Sequence, residues 1–162
     1  MMKITGILLF FFSFINNAYS APAGWKLLRD NGIKVWQLKS NSNVSGSLER
    51  KKHQKQTNWS KLKKKSYMKK LEEKKKKVLE LIGISDWRTD SHKWKKINNS
   101  HLLNITGRYT DSSGQKTAFT EIHIYNSNET IKMLYTRPQS IENGEKLSET
   151  IIDHMKKEAG VK

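Results

Sequence analysis

Cysteine is absent from all 162 residues. That removes disulfides, thiol catalysis, cysteine-ligated zinc and redox exchange together, and it excludes a lipid anchor on a cysteine behind a leader. Proline is nearly absent too, with two residues, and no proline-rich or glycine-rich linker or internal repeat divides the chain. No apolar run approaches the roughly 20 residues that a membrane-spanning helix needs. Arginine is scarce as well, five against 26 lysines, so the chain lacks the forked guanidinium groups that favour phosphate and base recognition.

What is present begins with a leader. Met1, Met2 and Lys3 precede an apolar stretch of twelve residues, Ile4 to Ile15, and small residues follow at Ala18, Ser20, Ala21 and Ala23. Twelve residues are too few to span a bilayer and suit a signal peptide. The expectation is a signal peptide over residues 1–20 cleaved after Ser20, with a second cleavage point after Ala23, and a periplasmic or secreted product. Residues 21–162 then form a single mature domain of 30 basic and 15 acidic side chains, a net charge of +15. About 140 residues bury a core without covalent staples.

The charge is uneven. Residues 116–162 carry seven bases and seven acids, while Glu49 to Glu80 holds 14 bases and four acids. Asn58 to Ile82 reads as a long helix, with Trp59, Leu62, Tyr67, Leu71, Val78 and Ile82 near one stripe and Gly83 as its stop. Its other faces are lysine: Lys61, Lys63, Lys64, Lys65, Lys69, Lys70, Lys74, Lys75, Lys76 and Lys77. The apolar stripe thins between Leu71 and Val78, where lysine stems must hold the middle turn.

Around this helix the patterning is that of strands. Trp25 to Leu38 forms a hairpin about Asn31-Gly32, which sets Leu27 opposite Trp36 and Trp25 opposite Leu38. The polar stretch at 40–47 (SNSNVSGS) reads as a connector. A four-stranded antiparallel meander follows: about His92–Ile97, His101–Tyr109, Thr117–Tyr125 and Thr130–Thr136. Pairing Thr110 with Gln115 places Leu103 opposite Ile122, and pairing Asn126 with Glu129 places Ile122 opposite Met133. An amphipathic helix over Glu145–Ala159 ends the chain, with Leu147, Ile151, Met155 and Ala159 in register, Asn143 as N-cap and Gly160 as stop. The expected fold class is α+β, with both helices on one apolar face of the sheet. In order of elements it resembles helix-grip folds and the small PsbP-type sandwich; no motif accompanies that resemblance.

Two functional readings follow. In the first, the lysine helix associates with anionic envelope lipids or glycans, or with an acidic partner, through diffuse attraction, and the protein is not an enzyme. Export and the shortage of arginine both count against nucleic acid. In the second, the polar sheet face around Glu121 and His123, with Asn104, Arg108, Tyr125 and Lys132, serves a small-ligand or hydrolase-like module. A carboxylate two residues from an imidazole shares its face and makes a usable acid–base pair. No cofactor or metal set is expected, since the remaining histidines lack ligand spacing. Oligomeric state has no signature here.

Overall fold

A computed structural model describes residues 21–56, 58–59 and 63–161. The expected signal peptide, Lys61 and Leu62 lie outside the described residues. Among the described residues seven strands run in chain order with two helices: β1 (Trp25–Asp30), β2 (Ile33–Leu38), β3 (Asn41–Lys52), α1 (Lys64–Leu81), β4 (Ser85–Ile97), β5 (Ser100–Thr110), β6 (Lys116–Tyr125), β7 (Glu129–Pro138) and α2 (Gly144–Glu158). All seven strands form one antiparallel sheet in the order β1-β2-β3-β7-β6-β5-β4. The α+β class holds. The separate hairpin and four-stranded meander do not: β3 joins them, pairing with β2 on one side and β7 on the other.

That joining strand is the stretch read from sequence as a connector. Its composition is polar because only alternate residues face the core, Val44 and Leu48 among them. Between these two lies Gly46, where a Cβ would come within 2.6 Å of Ile151 in α2. Glycine here is a seat for a helix side chain rather than a sign of flexibility.

The first hairpin pairs Trp25 with Leu38 and Leu27 with Trp36, as its turn dictates, and Gly32 takes the positive φ of +84°. In the β6–β7 hairpin, Ile122 faces Met133 and His123 faces Lys132. The β5–β6 register is the correction. Thr110 pairs with Lys116, not Gln115, so Leu103 faces His123 and Ile105 faces Glu121. Gly114 adopts φ +83°, and Asp111 Oδ1 accepts the N–H groups of Ser113 and Gln115. The loop therefore has five residues, a turn followed by a left-handed bulge, rather than four. One extra residue reverses the face of every side chain on β5.

The reversal explains why the helices lie on opposite faces of the sheet instead of sharing one. Ile122, Ile124, Ile131, Met133 and Tyr135 pack with β1–β3 and with Ile151, Ile152, Met155 and Ala159 of the α2 segment. On the other face Leu103, Ile105, Phe119 and Tyr125 pack with Met68 of α1, flanked by Trp59, Tyr67, Trp87 and Trp94. The helix α1 is shorter than the expected Asn58–Ile82, beginning at Lys64. Ahead of it Trp59 docks separately, donating Nε1–H to the Asn126 carbonyl at 2.8 Å. The helix α2 matches its expected span. Asn143 precedes it at φ 55° without a side-chain capping bond, and Gly160 stops it at φ 68°.

Candidate functional site

The residues Phe119, Glu121, His123 and Tyr125 alternate along β6 and all face α1. The sequence places Glu121, His123 and Tyr125 on a polar sheet face, and the structure buries them: Glu121 is 1% exposed and His123 5%. The shifted β5 register brings Leu103 and Ile105 beside them, and α1 covers them. Asn104 and Arg108, expected as companions, belong to the opposite face of β5; Arg108 binds Asp90 at 3.0 Å instead. Lys132 on β7 does join the group.

Burial obliges these polar atoms to satisfy one another. Tyr67 O–H donates to the Tyr125 hydroxyl at 2.7 Å. Tyr125 in turn contacts His123 Nδ1 at 2.7 Å, and His123 Nε2 lies 2.7 Å from Glu121 Oε1. Because Tyr125 accepts from Tyr67, its own proton goes to Nδ1. The imidazole is therefore the Nε2–H tautomer, donating to the carboxylate. Burial, then Lys75 and Lys132, push His123 down to about 3, so it stays neutral. Burial also pushes the Tyr125 hydroxyl well above the ordinary tyrosine range. Both ring nitrogens are occupied, which leaves His123 neither a free base nor a free metal ligand. Among the described residues no group of three or more His, Asp or Glu is placed to hold a metal ion.

Two lysines from different elements converge on Glu121. Lys132 Nζ lies 3.1 Å from Oε1, and Lys75 ion-pairs with Oε2. Lys75 belonged to the expected cationic surface, yet it points inward. The sequence carries the signal: Tyr67, Leu71, Lys75 and Leu79 recur every four residues, so Lys75 occupies a stripe position at the turn where apolar residues run out. Its ammonium sits 5.8 Å from the ring centres of both Trp87 and Phe119. Burial first, and then Lys132, bring its pKa down to about 7.

Above this floor α1 and the sheet do not close. A groove of about 500 Å³ is walled by Leu71, Val78, Leu79, Trp87, Phe119 and Leu134, with Lys75, Glu121, His123 and Lys132 at its base. At its helical edge Val78, Leu81 and Ile82 are 51%, 86% and 61% exposed. The remaining named lysines of α1 and the residue before it (Lys63, Lys64, Lys65, Lys69, Lys70, Lys74, Lys76 and Lys77) are solvent-facing.

No protein-family model matches the chain, and no curated protein matches it. Solved structures are similar to it. A protein from Bacteroides thetaiotaomicron VPI-5482 is similar with a TM-score of 0.50 and 13% sequence identity, over 80% of this chain and 41% of that one. This chain thus spans about two fifths of the Bacteroides protein's length. A Pseudomonas aeruginosa protein of unknown function matches with a TM-score of 0.47 and 10% identity, over 70% and 73% of the two chains. At such identity the Bacteroides likeness is one of fold alone. The class defined by fold and site is an α+β sandwich with a closed core on one face and an open groove on the other; no described helix is long and apolar enough to cross a membrane.

Proposed function

We propose that this chain is an exported, non-enzymatic binding module that holds an amphipathic anion in the groove beneath α1. One observation carries the reading: an apolar groove ends on two lysines that share a single buried carboxylate. With His123 neutral, and below the pKa of about 7 that burial gives Lys75, two ammonium groups face one carboxylate, and a cation in a low-dielectric site attracts an anion strongly. The apolar walls suit a hydrocarbon body, and the base suits a carboxylate or phosphate head. Nucleophilic or acid–base chemistry has less support, because the imidazole is locked on both nitrogens.

The exposed lysine face supports the envelope reading alongside this one. It would concentrate the module near anionic lipids or glycans, where such amphiphiles are found.

The test is a titration with a dansylated fatty acid and with the matching dansylated alcohol, read by energy transfer from tryptophan, Trp87 being at the groove. The acid is expected to bind more tightly than the alcohol. Lys75→Met and Lys132→Met should each erase most of that difference while circular dichroism stays unchanged. Equal binding of acid and alcohol to the parent chain would overturn the proposal.

A further inference from the structure

The lysines of α1 are not one uniform face. Lys69, Glu73, Lys76 and Glu80 follow one another at steps of four, three and four, forming a stripe of alternating sign. Its bases approach its acids at 4.0 Å, Lys69 to Glu73 and Lys76 to Glu80. That stripe is electrically balanced. Lys70, Lys74, Lys77 and Leu81 follow the same steps on another side, with no acid among them. This second stripe borders the groove, since Lys74, Val78 and Ile82 line it.

At the end of the cationic stripe Val78, Leu81 and Ile82 project into solvent beside the groove mouth. These three exposed aliphatic side chains, at the last turn of the helix and its cap, belong to neither buried core. Next to a row of lysines they have the composition of an interfacial anchor, in which apolar side chains enter the headgroup–acyl boundary and ammonium groups rest on the phosphates. The charge sign and the apolar tip select the same occupant: an anionic lipid bilayer rather than a soluble acidic polymer, which would have no use for Leu81.

We infer that the C-terminal end of α1 docks on anionic lipid membranes, with Leu81 and Ile82 in the interface and Lys70, Lys74 and Lys77 on the headgroups. In that pose the groove opens toward the acyl layer, so its ligand enters from the bilayer without crossing water. Docking stands on the helix surface alone; the loading route rests on the groove reading of the preceding subsection.

The absence of cysteine makes the test clean, because a single introduced cysteine is the only thiol in the chain. A solvent-sensitive dye on Leu81→Cys is expected to shift to the blue with vesicles containing phosphatidylglycerol. The same dye on Leu28→Cys, another exposed site at 53%, should not shift. Phosphatidylcholine vesicles should give little response, and added salt should weaken the response to anionic ones. Changing Lys70 and Lys77 together to Gln should lower vesicle affinity on the order of tenfold, whereas changing Lys69 and Lys76 should lower it far less.

A Leu81 dye that stays unshifted on anionic vesicles at low salt would overturn the inference, as would equal effects of the two lysine pairs. The dansyl titration is carried out without vesicles. Its failure alongside a Leu81 shift removes the groove reading and keeps docking; the converse result removes docking and keeps the groove.

Discussion

The two faces of this sheet are each covered by one helix, and the helices differ at a single turn. In α2 the apolar positions Leu147, Ile151, Met155 and Ala159 continue without a break, and Gly46 lets Ile151 settle onto the strand. The result is a filled core. In α1 the corresponding series is Tyr67, Leu71, Lys75 and Leu79, and one inward lysine replaces an aliphatic residue. Lys75 needs a carboxylate, the carboxylate needs further donors, and His123, Tyr125 and Lys132 supply or extend them. A polar network beneath a helix keeps it from closing fully on the sheet, so the same architecture gives a core on one side and a groove on the other.

The comparison breaks most sharply at Ile122 on the filled side. Ile122→Lys would place an unpaired charge against Met133 and α2, and the chain should lose several kcal/mol and its cooperative thermal transition. On the groove side the largest effect belongs to Glu121. Glu121→Leu strands Lys75 without its anion and should cost about 3–5 kcal/mol in urea unfolding, as expected for one half of a buried pair. Adding Lys75→Met to it should recover at least half of that loss, by giving α1 the stripe that α2 already has, and should abolish binding of the dansylated acid. Failure of the second change to restore stability would mean that Lys75 is not the partner that matters.

Acid sharpens the contrast next. His123 is held near 3 in the folded state against about 6.5 when exposed. The unfolded chain therefore binds a proton that the folded chain refuses, and stability present above pH 6.5 is lost as pH falls toward 3, by up to about 1.4 kcal/mol per unit. Urea midpoints from pH 7 to 5 should fall less steeply in His123→Gln than in the parent. Ligand binding should show the opposite edge. Burial brings the Lys75 pKa down to about 7, so affinity for the dansylated acid should decline as pH rises above that value, and the decline should vanish in Lys75→Met. The smallest effect concerns the outer surface: Lys70→Gln with Lys77→Gln should change stability by less than about 0.5 kcal/mol.

Much of the filled side was legible in the sequence, because there the apolar period is unbroken. The Asn31-Gly32 turn fixed the β1–β2 register, and Ile122, Ile124, Ile131 and Met133 fixed that of β6 and β7. The strand β3 was not legible, since a polar run with a glycine carries the marks of a linker, and only the docking of Ile151 explains Gly46. The strand β4 was half hidden by irregular pairing at Ser85–Arg88 and Thr89–Ser91, which breaks the alternation on which strands are recognised. At the site, Glu121 and His123 were visible as neighbours on one face. Their burial was not, because it depends on a single residue in the Asp111–Gln115 loop. A turn plus a left-handed Gly114 in that loop is what sets Leu103 and Ile105 beside His123 and Glu121, and it makes a lysine of the covering helix the partner of the carboxylate.

The placement of β3 between β2 and β7 has a consequence for how the chain assembles. Every other strand pair in the sheet joins neighbours in sequence, but the Ser45–Thr136 hydroxyl pair spans 91 positions. Hairpins close in microseconds, whereas a contact this distant first requires a long segment to give up its freedom. The β1–β2 hairpin and the β4–β7 meander can each form locally; the β3–β7 ladder is the slow seam between them. All of α1 lies inside the loop which that seam closes, and every residue lining the groove belongs to α1, the turn after it or β4–β7, so the groove takes shape within one half of the sheet while the other half is joined to it by the seam.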